Sequence, residues 1–447
     1  MAWQDEFRAK LMSPEDAAQL LRSGDVLRSG IGADARSLLP ALFNRVLELD
    51  KNVKIIACSP SPSQEWFTDD YADLGFDLSS EVYAGATARQ ALVANRADWY
   101  PGLFSNLMNV WDRDPNDREP FDYFHCSVTP PDENGYMGTG GLAWHKVDYI
   151  ERARTTVVEV CPFLPNVPGE RIHVSQVTAI IETQLDGYPL AERVGKDEGA
   201  IIAGFVNEIL EDGDTCQIGA GRTATWLPDY GAYDGKKDLG WHSEITPPGI
   251  VTLMMEGVIN SSRKAYDKDI HVTTSVNART PEHWEWLNNN PPMEARRVTS
   301  VNHILNIAKH DHFTAINNAF QVDLTGQIYS ESLGTKIYNG TGGQTEFHIG
   351  ATLSKGGKAI TVLPSTATGG TITRILPMAL DGAFVTVPRT FADYVVTEFG
   401  IARLAGRSQR QRSENLIAIA HPDHRAELQR ARQTIFFPSM VKHAVVE

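Results

Sequence analysis

The sequence predicts an α/β fold of two similar, open, mostly parallel α/β domains in tandem. Three observations carry that prediction. The chain has 447 residues, more than one core ordinarily serves, so two domains of roughly 200 residues are expected. Helical apolar periodicity alternates with short apolar runs suited to buried parallel strands. The chain also repeats itself: Gly24, Asp25, Gly30, Gly32, Ala35 and Leu38 recur as Gly213, Asp214, Gly219, Gly221, Ala224 and Leu227, each 189 positions on. Asp132-Glu-Asn-Gly135 is echoed, 191 positions later, by Asp323-Leu-Thr-Gly326.

Taken in order, Ser13-Pro14-Glu15-Asp16 supplies a helix cap, a proline at the first helical position and acids in the first turn. The helix over AAQLLRSG stops at Gly24, and VLRSGI reads as a strand. A glycine turn follows, then a helix over 37–49 and a strand at VKIIACS. In the second copy AIIAGFVNEILEDG is the helix and DTCQIG the strand, with another helix beginning near Thr223. Further strands are expected near Val157, Val272, Phe313 and Ile360. The turn Asp186-Gly187-Tyr188-Pro189 places the boundary between domains at 1–187 and 188–447.

Bulk properties narrow the function classes. A formal net charge of −15 argues against the basic stripe of a nucleic-acid footprint, so no nucleic-acid partner is expected. No apolar run approaches the roughly 20 residues of a membrane helix, so no membrane partner is expected either. The opening MAWQDEFRAKLMSPEDAAQLL lacks the continuous apolar core of a secretory signal, and the expected location is cytoplasmic. Cys58, Cys126, Cys161 and Cys216 lie far apart with no CxxC pair, as reduced, buried thiols would. His310-Asp311-His312 is the tight histidine pair; without a third ligand pattern nearby it reads as a solvated turn, and no metal is expected.

Two glycine turns point to a rival function. Gly30-Ile-Gly32-Ala-Asp-Ala35 and Gly219-Ala-Gly221-Arg-Thr-Ala224 match G-x-G-x-x-A directly after a strand, a pattern that admits a pyrophosphate to a helix N-terminus. Glu244 stands 25 positions after Gly219, where such folds place a ribose-binding acid, so an NAD-dependent oxidoreductase is a competing reading. Against it, the first copy's second strand ends in Ala57-Cys58-Ser59 with no acid, and no hydride-transfer constellation accompanies the motif.

Glu244 itself closes the strand of GWHSEITPPG, and Pro247 and Pro248 fix the chain's exit. A strand-end carboxylate is aimed into the crevice where open α/β sheets bind ligands. Downstream, Gly340, Gly342 and Gly343 remove side chains where something must approach the backbone, and the N–H groups of such a loop can cradle an oxyanion or an acyl group. Lys355 and Lys358 add two cations suited to phosphate oxygens.

Those stretches, with NNP at 289–291, AFQVDLTGQIYSES at 319–332, GTGGQTEF at 340–347, SKGGK at 354–358, DYVVTEFGIARLAG at 393–406 and AHPDHR at 420–425, resemble the acetyl-CoA hydrolase/transferase family. SPEDA, PDENGYMGTG and PGERIHVSQV extend the likeness through the first half. Within the family the chain looks most like the 4-hydroxybutyrate CoA-transferase branch of class I CoA-transferases, which also holds itaconate CoA-transferases. The resemblance implies coenzyme A as a substrate, no bound cofactor, a homo-oligomer and a nucleophilic glutamate that falls on Glu244, with Glu331 a weaker competitor. It puts Gly340, Gly342 and Gly343 at the acyl and thioester end of CoA, and an asparagine, Asn289 or Asn290, beside the thioester. Two departures stand out: Thr341 sits where many relatives carry a hydrophobic residue, and SVNARTPEHW is unlike the relatives. Arg279 in that segment is a candidate partner for the second carboxylate of a diacid such as succinate or itaconate, or else a salt-bridge residue.

The implied reaction is ping-pong: a carboxylate attacks an acyl-CoA, CoA moves onto the enzyme as a glutamyl thioester, and an incoming acid reverses the sequence. A hydrolase, in which water takes the thioester, would use the same residues. A CoA-sensing protein is the non-enzymatic alternative.

Overall fold

The computed structural model describes residues 2–32, 34–82, 85–114, 116, 118–187, 198–289 and 291–436. One sheet runs, in spatial order, Asp98–Trp99, Asp77–Ser80, Lys54–Ala57, Val26–Ser29, Tyr123–Val128, Thr155–Val160 and Ala179–Glu182. All its pairings are parallel. A second sheet repeats the order with Met293–Ala295, His271–Val276, Gly240–Thr246, Thr215–Ile218, Phe313–Asn318, Lys358–Val362 and Tyr394–Thr397. It adds one antiparallel edge strand, Gly400–Arg403. The sequence repeat is thus a repeat of topology, with Val26–Ser29 and Thr215–Ile218 at the same central place. The echoed tetrapeptides also fold alike. Asp132 Oδ1 accepts the N–H groups of Asn134 and Tyr136, and Asp323 Oδ1 those of Thr325 and Gln327.

Tyr123–Val128, Thr155–Val160 and His271–Val276 are buried along their whole length, so polar residues such as His125, Glu159 and Thr273 lie inside with the apolar ones. Leu39–Glu48 buries Leu39, Leu42 and Val46 on one face, and Glu198–Ile209 packs Ile202, Ala203 and Val206 into the second half's core. Ser13 Oγ accepts from the Asp16 N–H and caps Pro14–Ala18.

Three expectations shift. The helix expected to run to Gly24 is only Pro14–Ala18, followed by turns. No helix begins near Thr223; two short 3-10 turns, Ala224–Trp226 and Pro228–Tyr230, take its place, because Pro228 and the left-handed Gly231 interrupt any longer run. The Glu244 strand continues to Thr246, and Pro248 starts the helix Pro248–Met255. The strands of the first sheet end by Glu182 and those of the second begin at Thr215; residues 188–197, where the expected boundary falls, lie outside the described residues. No helix among the described residues is long and apolar enough to cross a membrane.

The halves are packed against each other. Gly169 pairs with Ala295 and Leu142 with Ser275 across them, and a Cβ on Gly169 would lie 2.1 Å from the Ala295 carbonyl oxygen. Cys58, Val82, Phe104 and Trp144 of the first half meet Val298 and Ile245 of the second in one apolar cluster. Glu244 is the residue next to Ile245.

Candidate active site

The strand Gly240–Thr246 pairs with its central neighbour only at Gly240 and Trp241. Where that ladder stops, Ser243 Oγ bridges to the neighbour, bonding both the N–H and the carbonyl of Ile218 at 3.3 Å. Glu244 follows at once, half-buried, with Ile245 and Thr246 still paired to the strand on the other side. The ladder therefore fixes the backbone around Glu244 while its side chain faces the junction of the two halves.

Helix Gln344–Leu353 starts against that carboxylate. A Cβ on Gly343 would lie 2.0 Å from Glu244 Oε2, so glycine is what lets the helix N-terminus and its free N–H groups come so close. A Cβ on Gly340 would lie 2.5 Å from the Glu81 carbonyl oxygen, and Gly342 has a φ of 62°. The loop is wedged between Glu244 and the first half. Thr341 Oγ1 donates to Glu331 Oε2 at 3.2 Å, and the Glu331 carbonyl accepts from Tyr338 and Asn339 N–H. Glu331 thus holds the glycine loop in place.

The asparagine at the carboxylate is Asn302. It follows the short helix Val298–Val301 and is fully buried. Its Nδ2 donates to Glu244 Oε2 at 2.6 Å and to Glu346 Oε2 at 2.9 Å. The other oxygen of Glu346 accepts the Ser105 N–H at 2.8 Å from the first half. Burial pushes both carboxyls up to about 7; at Glu244 the Asn302 bond opposes the shift and the Glu346 charge adds to it. A carboxylate so placed is ionised enough to attack near neutral pH, and water is largely kept away from it.

Just behind lies a buried ionic cluster. His145 Nδ1 faces Glu81 Oε2 at 3.6 Å, the Tyr149 hydroxyl donates to Glu81 Oε1, and Arg28 lies over the Phe121 ring at 4.1 Å. Cys58, Glu81 and His145 bring three donor atoms within 4.8 Å of one another, and the His145–Glu81 ion pair accounts for that grouping. Cys58 and Cys216 are pushed well above the usual thiol range by burial, Cys126 to about 11 and Cys161 to about 12, so none offers a thiolate at neutral pH.

Other expected site residues lie elsewhere. Asn289 is exposed at the C-terminal end of helix Pro281–Asn288, and Asn290 lies outside the described residues. Lys358 begins its strand and pairs with Asp214 at 2.9 Å and Glu211 at 3.6 Å. Lys355, exposed, lies 3.9 Å from Asp311. Both lysines stand at the amino ends of the parallel strands, opposite the crevice side, because helix Gln344–Leu353 carries the chain about 15 Å away from Glu244. The fork of Arg279 is filled by both oxygens of Asp229 at 2.5 and 3.1 Å. His310 is buried, not solvated: its Nε2 lies 3.3 Å from His242 Nδ1, and His242 Nε2 donates to the Val301 carbonyl at 2.8 Å. Two surface cavities, of about 250 Å³ beside Trp66 and about 320 Å³ between Thr129 and Asn288, are not lined by Glu244.

The glycine turns have their own occupants. A Cβ on Gly219 would lie 2.1 Å from Asn317 Oδ1 and one on Gly221 1.4 Å from Asn318 Nδ2. Asn318 Oδ1 accepts the Ala224 N–H at 3.1 Å. In the first copy the Ala35 N–H is taken by His125 Nδ1 and the Ser37 N–H by Glu159. Gly219 and Gly221 thus serve close packing against the protein's own side chains, whereas Gly32, with open space around it, supplies a left-handed φ of 59°.

Asn302 was not singled out from sequence. It lies 58 residues from Glu244, and nothing in Val301-Asn302-His303 marks it locally, whereas the run of three asparagines at 288–290 draws the eye. Glu346 was visible only as part of GTGGQTEF.

Comparison with known proteins agrees with this architecture. Residues 1–189 match the acetyl-CoA hydrolase/transferase N-terminal domain and residues 280–432 the C-terminal domain. The chain is 36% identical over 438 residues to the succinyl-CoA:cyclohexane-1-carboxylate CoA transferase of Geobacter metallireducens, covering 96% of each chain. It is 38% identical over 354 residues to the 4-hydroxybutyrate coenzyme A transferase of Clostridium kluyveri, covering 78% of this chain and 80% of that one. Among solved structures, RipA from Yersinia pestis superposes with a TM-score of 0.88 at 30% identity, over 98% of this chain and all of that one.

Proposed function

We propose, from the premise that this chain belongs to the acetyl-CoA hydrolase/transferase family, that it is a CoA-transferase acting through Glu244. Its relatives include enzymes named for succinyl-CoA, 4-hydroxybutyrate, butyrate and acetate, so a short acyl-CoA and a free carboxylic acid are its substrates. The observation that carries this reading is the Glu244 carboxylate held between the Asn302 amide and the N-terminus of the helix after Gly343. Glu244 attacks the thioester carbonyl and expels CoA thiolate. The thiolate attacks the glutamyl carbonyl of the resulting anhydride, the first acid leaves, and an enzyme-bound CoA thioester remains. Each addition makes an oxyanion within reach of the Asn302 amide and the N–H groups at Gly343. No bound cofactor is called on, and a homo-oligomer remains the expected assembly. Arg279, already paired, gives no separate support to a dicarboxylate substrate such as succinate or itaconate.

The test mixes the protein with succinyl-CoA or acetyl-CoA and a panel of acetate, butyrate, 4-hydroxybutyrate, succinate and itaconate, and identifies CoA esters by mass. New esters are expected, falling on the order of a thousandfold or more in Glu244→Ala. Free CoA alone, independent of the panel, would make the protein a hydrolase. Undiminished transfer by Glu244→Ala would overturn the assignment of the nucleophile.

A further inference from the structure

We propose that Glu346 is a positioning residue for this reaction: it aims the Asn302 amide at Glu244 and holds a second negative charge against the attacking carboxylate. The inference rests on the CoA-transferase reading of Glu244. An asparagine side chain presents an NH2 on one side and an oxygen on the other, and which faces a site follows from its partners. Here two carboxylates converge on one nitrogen, Glu244 Oε2 at 2.6 Å and Glu346 Oε2 at 2.9 Å, while Asn302 Oδ1 has no partner. With both carboxylates present, the amide has one favourable orientation. Glu346 alone is enough to impose it when Glu244 has become an anhydride or thioester, whose carbonyl still needs the same N–H as an oxyanion donor. Glu346 is itself fixed from the first half by the Ser105 N–H at 2.8 Å and is fully buried.

Charge gives Glu346 its second part. Two carboxylates joined through one nitrogen in a desolvated cleft resist being ionised together. The groups facing the pair are few. Asn302, Gly343 and His145 face Glu244; Ser105, Asn302 and His145 face Glu346. His145 is already engaged by Glu81, next to Cys58, Tyr149 and Arg28, and His348, on the helix of Glu346, is held neutral by burial. Both Glu346 oxygens accept N–H groups, from Asn302 and Ser105, so Glu346 is held as a carboxylate and its charge opposes the ionisation of Glu244. In the first half-reaction Glu244 exchanges its charge for the thioester, and that charge leaves with the released acid as its carboxylate. The return half-reaction restores the Glu244 charge, and no proton is consumed overall.

The experiment follows formation of the CoA thioester on the Glu244 peptide, by mass in single turnovers, from pH 5 to 9 in wild type, Glu346→Gln and Glu346→Asp. Glutamine is neutral and can accept only one of the two N–H groups that Glu346 accepts. It should slow thioester formation by roughly tenfold or more. With the like charge gone, the acid limb should also move down by about one pH unit, with KM for the acyl-CoA changed less than about threefold. Aspartate keeps the charge and should return the acid limb to the wild-type position. A slower Glu346→Gln enzyme with an unmoved acid limb would make the residue merely structural and overturn the inference, as would wild-type rates and profile. A wild type that never forms the thioester on Glu244 would overturn the CoA-transferase reading as well, whereas a normal wild-type thioester with either of those Gln results sinks only this inference.

Discussion

At the scale of single residues, the site turns on one amide. Asn302 donates to Glu244 at 2.6 Å, and its removal takes away both an oxyanion donor and a stabiliser of the anion. Asn302→Ala should lower kcat on the order of a hundredfold or more. The sign of its pH effect is fixed by the same contact: the bond holds the Glu244 carboxyl down against burial, so losing it moves the acid limb of the rate profile to higher pH. Glu346→Gln moves that limb the other way. Asn289→Ala, at an exposed helix end, should leave kcat within about twofold, because surface substitutions away from such contacts have small effects. Parallel rate profiles for the three enzymes decide between them, and equal losses at Asn289 and Asn302 would contradict the placement. Glu244 drew attention in sequence as a carboxylate at a strand end before two prolines, and the family resemblance chose among its readings. Asn302 was not, since its meaning lies wholly in a contact across 58 residues.

At the scale of elements, the question is what holds so short a helix as Val298–Val301 accurately enough to aim Asn302. Its first-turn neighbour Arg297 reaches into the other half, bonding Glu170 Oε1 at 3.0 Å, Asp148 Oδ1 at 3.1 Å and Glu151 Oε1 at 3.1 Å. Thr299 Oγ1 donates to Asp148 as well. At the other end the Val301 carbonyl is held by His242, which is backed by His310. Arg297→Ala leaves three carboxylates without their shared cation, and kcat should fall by roughly ten- to a hundredfold through misplacement of Asn302. The thioester should still form on Glu244, more slowly, and Arg297→Lys should recover only part of the loss because lysine cannot reproduce the planar fork. An unchanged kcat with a lowered melting temperature would assign Arg297 to stability alone. Strand positions were legible here from apolar runs and β-branched residues. The helix expected near Thr223 was not realised, since periodicity over a short stretch cannot outweigh Pro228 and a left-handed Gly231.

At the scale of the whole molecule, duplication explains both the architecture and the misleading fingerprint. Two copies of one parallel unit bring two glycine turns to equivalent strand ends, yet asparagines from Phe313–Asn318 occupy the second turn, so a motif legible in sequence lost its ligand to the protein's own side chains. The same burial sets the response of the fold to acid. His125 and His242 are pushed down to about 3, His271 and His348 to about 4, and His310 lower still, all by desolvation. For each, the folded value lies below the unfolded one near 6.5, so below that pH the unfolded chain binds more protons and stability falls as pH falls. Glu244 and Glu346, up to about 7, and Asp34, up to about 6, run the other way: the folded state takes up their protons first and gains stability. Five histidines outweigh three carboxyls, two of which share a site, and the net loss between pH 7 and 5.5 is on the order of 2 kcal/mol. The melting temperature should therefore drop by a few degrees over that interval, at constant ionic strength. In Glu346→Gln one opposing carboxyl is gone and the Glu244 carboxyl returns toward its ordinary range, so the same acidification should cost the variant more than the wild type. A melting temperature that is flat or rises toward pH 5.5 would mean that the buried histidines can accept protons inside the fold, and that the desolvation argued for Glu244 is weaker than its surroundings imply.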